Sequence, residues 1–343
     1  MDQNIPSSLS SQQSPSLYDP FDEPVGPIKN NWWLFYSLLA ATLVTTILAG
    51  GLLFSMSLML ILGAHEFGHY WASKRNGVKA TLPYFIPAPP IFIAGTFGAF
   101  IQIKQRIPNR RVLMEIGAAG PIAGFIVALP ALILGLHLST VSPLTGMGGI
   151  NFGSSIILNL CSNLMLGVNP SSPYINIHLH PIALAGWIGM LVTALNLMPV
   201  GQLDGGHIAR SVLGPKSNGI SLTVIMVLVF MAFYGIPGIA PPYLGWAVYA
   251  VLIYFLGTSH PPPSEELSSL GSSRMAIGII TGLILVLTFI PSPLVFGESQ
   301  FDLDISQDQD TFSPILGESN STFLKIINTG KEDGWENFDS EEV

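Results

Sequence analysis

Apolar residues run almost unbroken from Trp32 to Trp71, far longer than the roughly 20 residues needed to cross a hydrocarbon core. Gly50-Gly51 is the natural break, which predicts one helix near 32–50 and a second near 52–75. The second closes with Ser73-Lys74-Arg75-Asn76-Gly77, a basic last turn followed by a glycine stop. Further apolar runs predict helices near 113–136, 181–200, 219–235, 243–258 and 275–292. Residues 152–167 are apolar but too short to span, and are expected as an interfacial or re-entrant helix. The stretch 79–107 differs. Pro83, Pro87, Pro89 and Pro90 exclude a continuous helix, while Phe97, Ala99, Ile101 and Ile103 recur at alternate positions, interrupted by Phe100. The fold class expected is an all-α polytopic membrane protein with about seven transmembrane helices and a membrane-associated β-hairpin or re-entrant segment near residues 79–107.

Composition reinforces the membrane reading. Hydrophobic residues make up 49% of the 343 and charged residues 10%, well below the roughly 25% of a soluble domain. The net charge of −8 is a property of the ends, since 12 of the 21 acidic residues lie from Glu298 onward and four precede residue 30. Three parts follow: a polar N-terminal segment, 1–31, expected disordered and cytoplasmic; a membrane body, 32–295; and an acidic tail, 296–343, also expected disordered. The first segment lacks the basic-then-apolar order of a cleavable signal peptide. The single cysteine, Cys161, excludes an internal disulfide and a thiol metal cluster.

Basic residues set the expected orientation. Lys74, Arg75, Lys79, Lys104, Arg106, Arg110, Arg111, Arg210, Lys216 and Arg274 fall on one side of the predicted spans, and the opposite loops, 137–180 and 236–242, carry no Lys or Arg. The positive-inside bias places the 76–112 segment and a turn at 201–218 in the cytoplasm. Nothing in the charge pattern indicates a nucleic-acid partner.

Within this apolar frame sits Ala64-His65-Glu66-Phe67-Gly68-His69. Histidines four apart on a helix share a face, about 6 Å apart along the axis, which suits two imidazoles on one metal ion. Glu66 is placed to reach a water on that metal and act as base. An ionisable residue in a transmembrane segment is functional by default, because inserting it costs about 2.5–3.5 kcal/mol. Two histidines leave a zinc site one ligand short. Asn196-Leu197-Met198-Pro199-Val200-Gly201-Gln202-Leu203-Asp204-Gly205-Gly206-His207 supplies candidates at the end of the 181–200 helix, where Pro199 and Gly201 stop the helix and let the chain fold back. Asp204 offers a hard anionic oxygen and is the favoured third ligand, with His207 as its rival.

Together the motifs HEFGH and NLMPVGQLDGGH resemble the signature of the site-2 protease family of intramembrane zinc metalloproteases. The likeness is to the branch without a PDZ domain that includes the plastid ethylene-dependent gravitropism-deficient and yellow-green proteins. It extends through LPYFIPAPP, GTFGAFIQI, IPNRR and GAAGPIAGF, and weakly to HPPP, so that it covers roughly residues 32–292. The resemblance implies Zn2+ held by His65, His69 and Asp204, Glu66 as catalytic acid/base, and Asn196 over the substrate. It also implies that Gly117, Gly120 and Gly124 let their helix pack tightly on the core.

A transmembrane substrate must unwind before its carbonyls can be attacked, and unpaired backbone in lipid costs several kcal/mol per group. A strand beginning Gly95-Thr96-Phe97-Gly98 could pair with such an unwound segment. The expected partners are therefore a transmembrane protein substrate and the lipid bilayer; oligomeric state has no signature. The expected location is a bacterial inner membrane or a plastid-type membrane, with the active site toward the cytoplasmic side. Two rival classes are a membrane transporter, which would carry polar residues through several helices, and a catalytically silent binding protein of the same fold.

Overall fold

A computed structural model describes residues 30–89, 92–143, 150–170, 175–266 and 268–296, together with two short strands at 303–306 and 325–328. The apolar opening run forms α1, Trp32–Arg75, whose 44 residues are interrupted at Gly51 by φ +81° and ψ 178°. A straight helix of that length would measure about 66 Å, twice the hydrocarbon thickness. It is not straight. Thr46 Oγ1 and Ser55 Oγ hydrogen-bond at 2.6 Å, although residues nine apart on a continuous helix are separated by about 13.5 Å. The chain therefore folds back on itself at Gly51, and both hydroxyls are fully buried in the crease. This is the two-helix reading of 32–75, with the break where Gly50-Gly51 places it.

After α1 come β1, Tyr84–Pro87, and β2, Thr96–Phe100, paired antiparallel with Phe85 opposite Ala99 and a bulge between Ile86 and Pro87. Phe85 is 6% exposed and joins Phe54, Leu58, Ile61 and Leu62 in the main core. The hairpin thus lies along the second half of α1. Its far end reaches the crease, because a side chain on Gly95 (φ +64°) would strike the backbone of Thr45 and Thr46. Phe92 and Phe97 meet edge to face at 4.8 Å and stay exposed at that end. Among the described residues, β2 pairs with β1 alone.

Next in the chain are α2, Arg110–His137; β3, Thr140–Pro143; β4, Ile150–Phe152; α3, Ile156–Leu166; β5, Ile175–His178; and α4, Pro181–Leu197. Asn109 caps α2 through its side chain, accepting from Arg111 and Val112. The predicted turn at 201–218 needs correction. It contains a helix, α5, Asp204–Leu213, and a 3-10 turn, Gly214–Lys216, that leads into α6, Ser217–Tyr234. Arg110 explains part of this, donating to the terminal carbonyls Ser211 and Val212 at 2.7 and 2.9 Å. Then come α7, Gly245–Leu256; α8, Ser272–Thr288; and β6, Leu294–Phe296, which pairs with β4. Glu115 is structural: it accepts from Arg274 of α8 and, at 2.9 Å, from Asn76 at the end of α1.

Among the described residues, α1, α2 and the combined stretch Asp204–Tyr234 are long and apolar enough to cross a membrane. The helices at 156–166, 181–197, 245–256 and 272–288 are apolar but shorter. The chain is mainly helical with small two-stranded sheets, and helix length does not by itself carry a count of seven spans. The N-terminal segment and most of the acidic tail lie outside the described residues. Within the tail, β7 (Leu303–Ser306) and β8 (Lys325–Asn328) pair antiparallel.

Candidate active site

His65 and His69 lie on the second half of α1, each under 10% exposed, and project their Nε2 atoms to the same point. Asp204 reaches that point from the first turn of α5. The Oδ2 atom of Asp204 is 3.2 Å from each Nε2, and the two Nε2 atoms are 3.1 Å apart. His69 Nδ1 donates to the Ile116 carbonyl at 2.8 Å, which directs the Nε2 lone pair inward. Three such atoms converging at these distances need a proton or a cation between them. Metal–ligand bonds of about 2.0–2.2 Å in a tetrahedral zinc site would put two donors about 3.3 Å apart. The observed triangle matches that spacing within a few tenths of an ångström, so the donor set fits zinc.

The short distances depend on α2 and α5 approaching closely. A Cβ on Gly120 would land on the His69 ring, and one on Gly124 would come within 3.1 Å of His65 Nδ1. At Gly117 it would lie 2.6 Å from His207 Cβ and 3.1 Å from the Asp204 carbonyl. Gly205 and Gly206 press on the carbonyls of Leu197, Met198, Val200 and Gly201, which seats α5 directly against the end of α4. Asp204 also occupies the first turn of its helix, where a negative charge is favoured by the exposed N–H groups.

Glu66 is 8% exposed and interacts electrostatically with His69 and Asp204. Asn196, on α4, brings its Nδ2 to 3.5 Å from His65 Nε2. The structure thus gathers His65, Glu66, His69, Asn196 and Asp204. Gly95, the first residue of the candidate substrate strand Gly95–Gly98, sits away from them. Gly95 lies beside Thr45 and Thr46, and Ser55, which marks that level on the second half of α1, precedes His65 by ten residues, or about 15 Å of helix. Thr96 and Gly98 serve the hairpin itself: the Thr96 hydroxyl donates to Ile86 at 2.7 Å and accepts from the Gly98 N–H at 3.0 Å. Of the four, Phe97 has the most exposed side chain, at 57%.

His207 lies outside the donor triangle, and its Nδ1 is occupied by the Nε2 of His260. Sequence reasoning did not single out His260. Its signal was the HPPP run, a histidine ahead of three prolines in a long stretch between helices. Burial holds His260 below the ordinary histidine range; its bond to the Pro261 carbonyl opposes the shift and the nearby Arg210 charge adds to it.

Fold and site together define a membrane-embedded protein with a three-donor metal centre beside a buried glutamate. The model of Peptidase family M50 matches residues 53–235, more than half the chain, and the chain belongs to that family. It is 33% identical over 232 residues to "Probable zinc metalloprotease EGY1, chloroplastic" of Oryza sativa subsp. japonica, covering 66% of this chain and 38% of that protein. It is 34% identical over 253 residues to "Probable zinc metalloprotease EGY2, chloroplastic" of Oryza sativa subsp. indica, covering 71% and 44%. A third relative, "Probable zinc metalloprotease EGY1, chloroplastic" of Arabidopsis thaliana, is 32% identical over 238 residues, covering 67% and 41%. The chain therefore spans less than half the length of these curated relatives.

Proposed function

We propose that this chain is an intramembrane zinc endopeptidase that hydrolyses peptide bonds in or near transmembrane segments of other membrane proteins. The observation that carries the reading is the convergence of His65, His69 and Asp204 at 3.1–3.2 Å, with Glu66 buried beside them inside an apolar helix. In this reading the first three residues hold zinc. When bound, zinc supplies Lewis acidity that polarises a carbonyl and makes water acidic near neutral pH. Glu66 takes a proton from the attacking water as its oxygen bonds to the carbonyl carbon. It then returns that proton to the amine nitrogen as the C–N bond breaks. The Asn196 amide, next to His65, donates to the oxygen on which negative charge develops.

Residues 32–295 make up the working unit. The edge of β2 away from β1 can receive an unwound substrate strand, and its later residues, Ala99 and Phe100, serve best because Ala99 pairs with Phe85 of the central core. The relatives' names place them in chloroplasts, and we infer a plastid-type or bacterial inner membrane for this protein. The basic residues at the end of α1 and the start of α2 favour a cytoplasmic or stromal mouth for the site.

The test is Glu66→Gln in the full chain, measured for zinc content and for cleavage of a membrane-spanning reporter. Retained zinc with cleavage reduced by roughly 100-fold or more supports the reading. Undiminished cleavage by that variant overturns it. Tight zinc binding without cleavage of any reporter by the unmodified protein favours a silent binding protein instead.

A further inference from the structure

The described residues of segment 257–271, between α7 and α8, form a strap that meets the site through the His260–His207 contact. It is fastened at several points. The Ser264 and Glu265 N–H groups donate to the Ile107 and Pro108 carbonyls at 3.0 and 2.9 Å. Glu266 pairs with the buried Arg210 of α5, and Ser269 accepts from Arg111 at 2.6 Å. Ahead of these fastenings, 8% exposed, is His260.

The tautomers of His260 and His207 follow from their partners. His260 Nδ1 faces the Pro261 carbonyl at 2.6 Å and so carries a hydrogen, leaving a lone pair on Nε2. That lone pair faces His207 Nδ1, which therefore donates. The rings meet edge to face, with centroids 4.6 Å apart. His207 lies three residues after Asp204, on the same face of α5. Its Cβ and the Asp204 carbonyl both bear on Gly117, so its position is set against α2 next to Ile116. The Ile116 carbonyl is the group that holds His69.

We propose that His260 is a positioning residue for the metal centre, acting through His207 to keep Asp204 and His69 in register. The inference rests on the zinc reading above. If His260 no longer accepts, the Nδ1–H of His207 must find another partner, and the ring turns against Gly117, between the two ligands. Gly257, packed on Gly201 before His260, and the bonds at 264–269 after it hold the strap without the imidazole, so the effect is confined to the metal centre.

Zinc affinity of the purified full-length protein, measured by competition with a chromogenic chelator, tests this without relying on turnover. Supporting metal-site contacts are typically worth about 10- to 100-fold in affinity, and that loss is expected for His260→Ala. A glutamine places its amide oxygen near the position of Nε2, whereas an asparagine reaches only the position of Nδ1. His260→Gln should therefore stay within about threefold of the unmodified protein, while His260→Asn should fall with the alanine variant. Arg111→Ala, which releases the exposed end of the strap, should leave affinity unchanged. The proposal is overturned if His260→Asn binds as tightly as the unmodified protein, if His260→Gln loses as much as His260→Ala, or if Arg111→Ala matches either loss. An unmodified protein without zinc affinity overturns both this proposal and the reading beneath it. Zinc affinity that follows this pattern in a protein that cleaves nothing removes the peptidase reading alone.

Discussion

Gly120→Ala adds one methyl group to α2 at the point where the helix faces the His69 ring. The new carbon would overlap the ring at Nε2, Cδ2 and Cε1, so the imidazole has to move or the two helices have to part. Moving the ring breaks its 2.8 Å bond to the Ile116 carbonyl and takes Nε2 out of the donor triangle. Overpacking a tight interior by a methyl group costs about 1–3 kcal/mol. Charged wholly to the zinc-loaded state, that is a loss of roughly 5- to 150-fold in zinc affinity. Gly124→Ala is the graded control. Its carbon would come to 3.1 Å from His65 Nδ1, which needs a shift of only a few tenths of an ångström, and its effect should stay below about tenfold. Chelator competition on both variants, with thermal unfolding of the zinc-saturated forms to confirm folding, decides the matter. Gly120→Ala with undiminished affinity, or Gly124→Ala as the worse variant, would refute the account of why α2 carries glycine there.

Two further outcomes follow from the same geometry. Asn196→Ala should lower kcat for a membrane-spanning reporter by about 100-fold or more while zinc content holds, because the amide acts on developing charge and not on the metal; a matching loss of zinc would make Asn196 a support for His65 instead. Gly51→Ala should lower stability by about 1–3 kcal/mol, since φ +81° with ψ 178° is open in practice only to glycine. A Cβ there meets nothing within 4 Å, so the penalty is purely one of backbone, and unchanged thermal unfolding would contradict it.

Much of this was legible in the sequence because apolar length and punctuation speak directly. Gly50-Gly51 marked the fold-back, the proline run 83–90 excluded helix where the hairpin lies, and the spacing of His65 and His69 fixed a shared face. Helix α5 was missed for a physical reason. Asp204-Gly205-Gly206 is poor helix-forming sequence, each glycine costing about 1 kcal/mol relative to alanine. The same glycines are what allow α5 to rest on the Leu197–Gly201 carbonyls, so close packing overrides local preference. His260 was hidden differently: its partner lies 53 residues away, and pairing at that separation leaves no periodic trace. The placement of Gly95 at the crease, distant from the histidines, depends on the hairpin running alongside α1, which residue spacing alone does not encode.

The fold-back at Gly51 also bears on how the protein enters its membrane. With no loop between its halves, α1 brings Trp32 and Arg75 out on the same side. The pair can partition as one helical hairpin, with the tight glycine corner leading and both ends trailing. The buried Thr46–Ser55 hydrogen bond closes the corner from within, so that its hydroxyls meet each other and not lipid as the hairpin goes in.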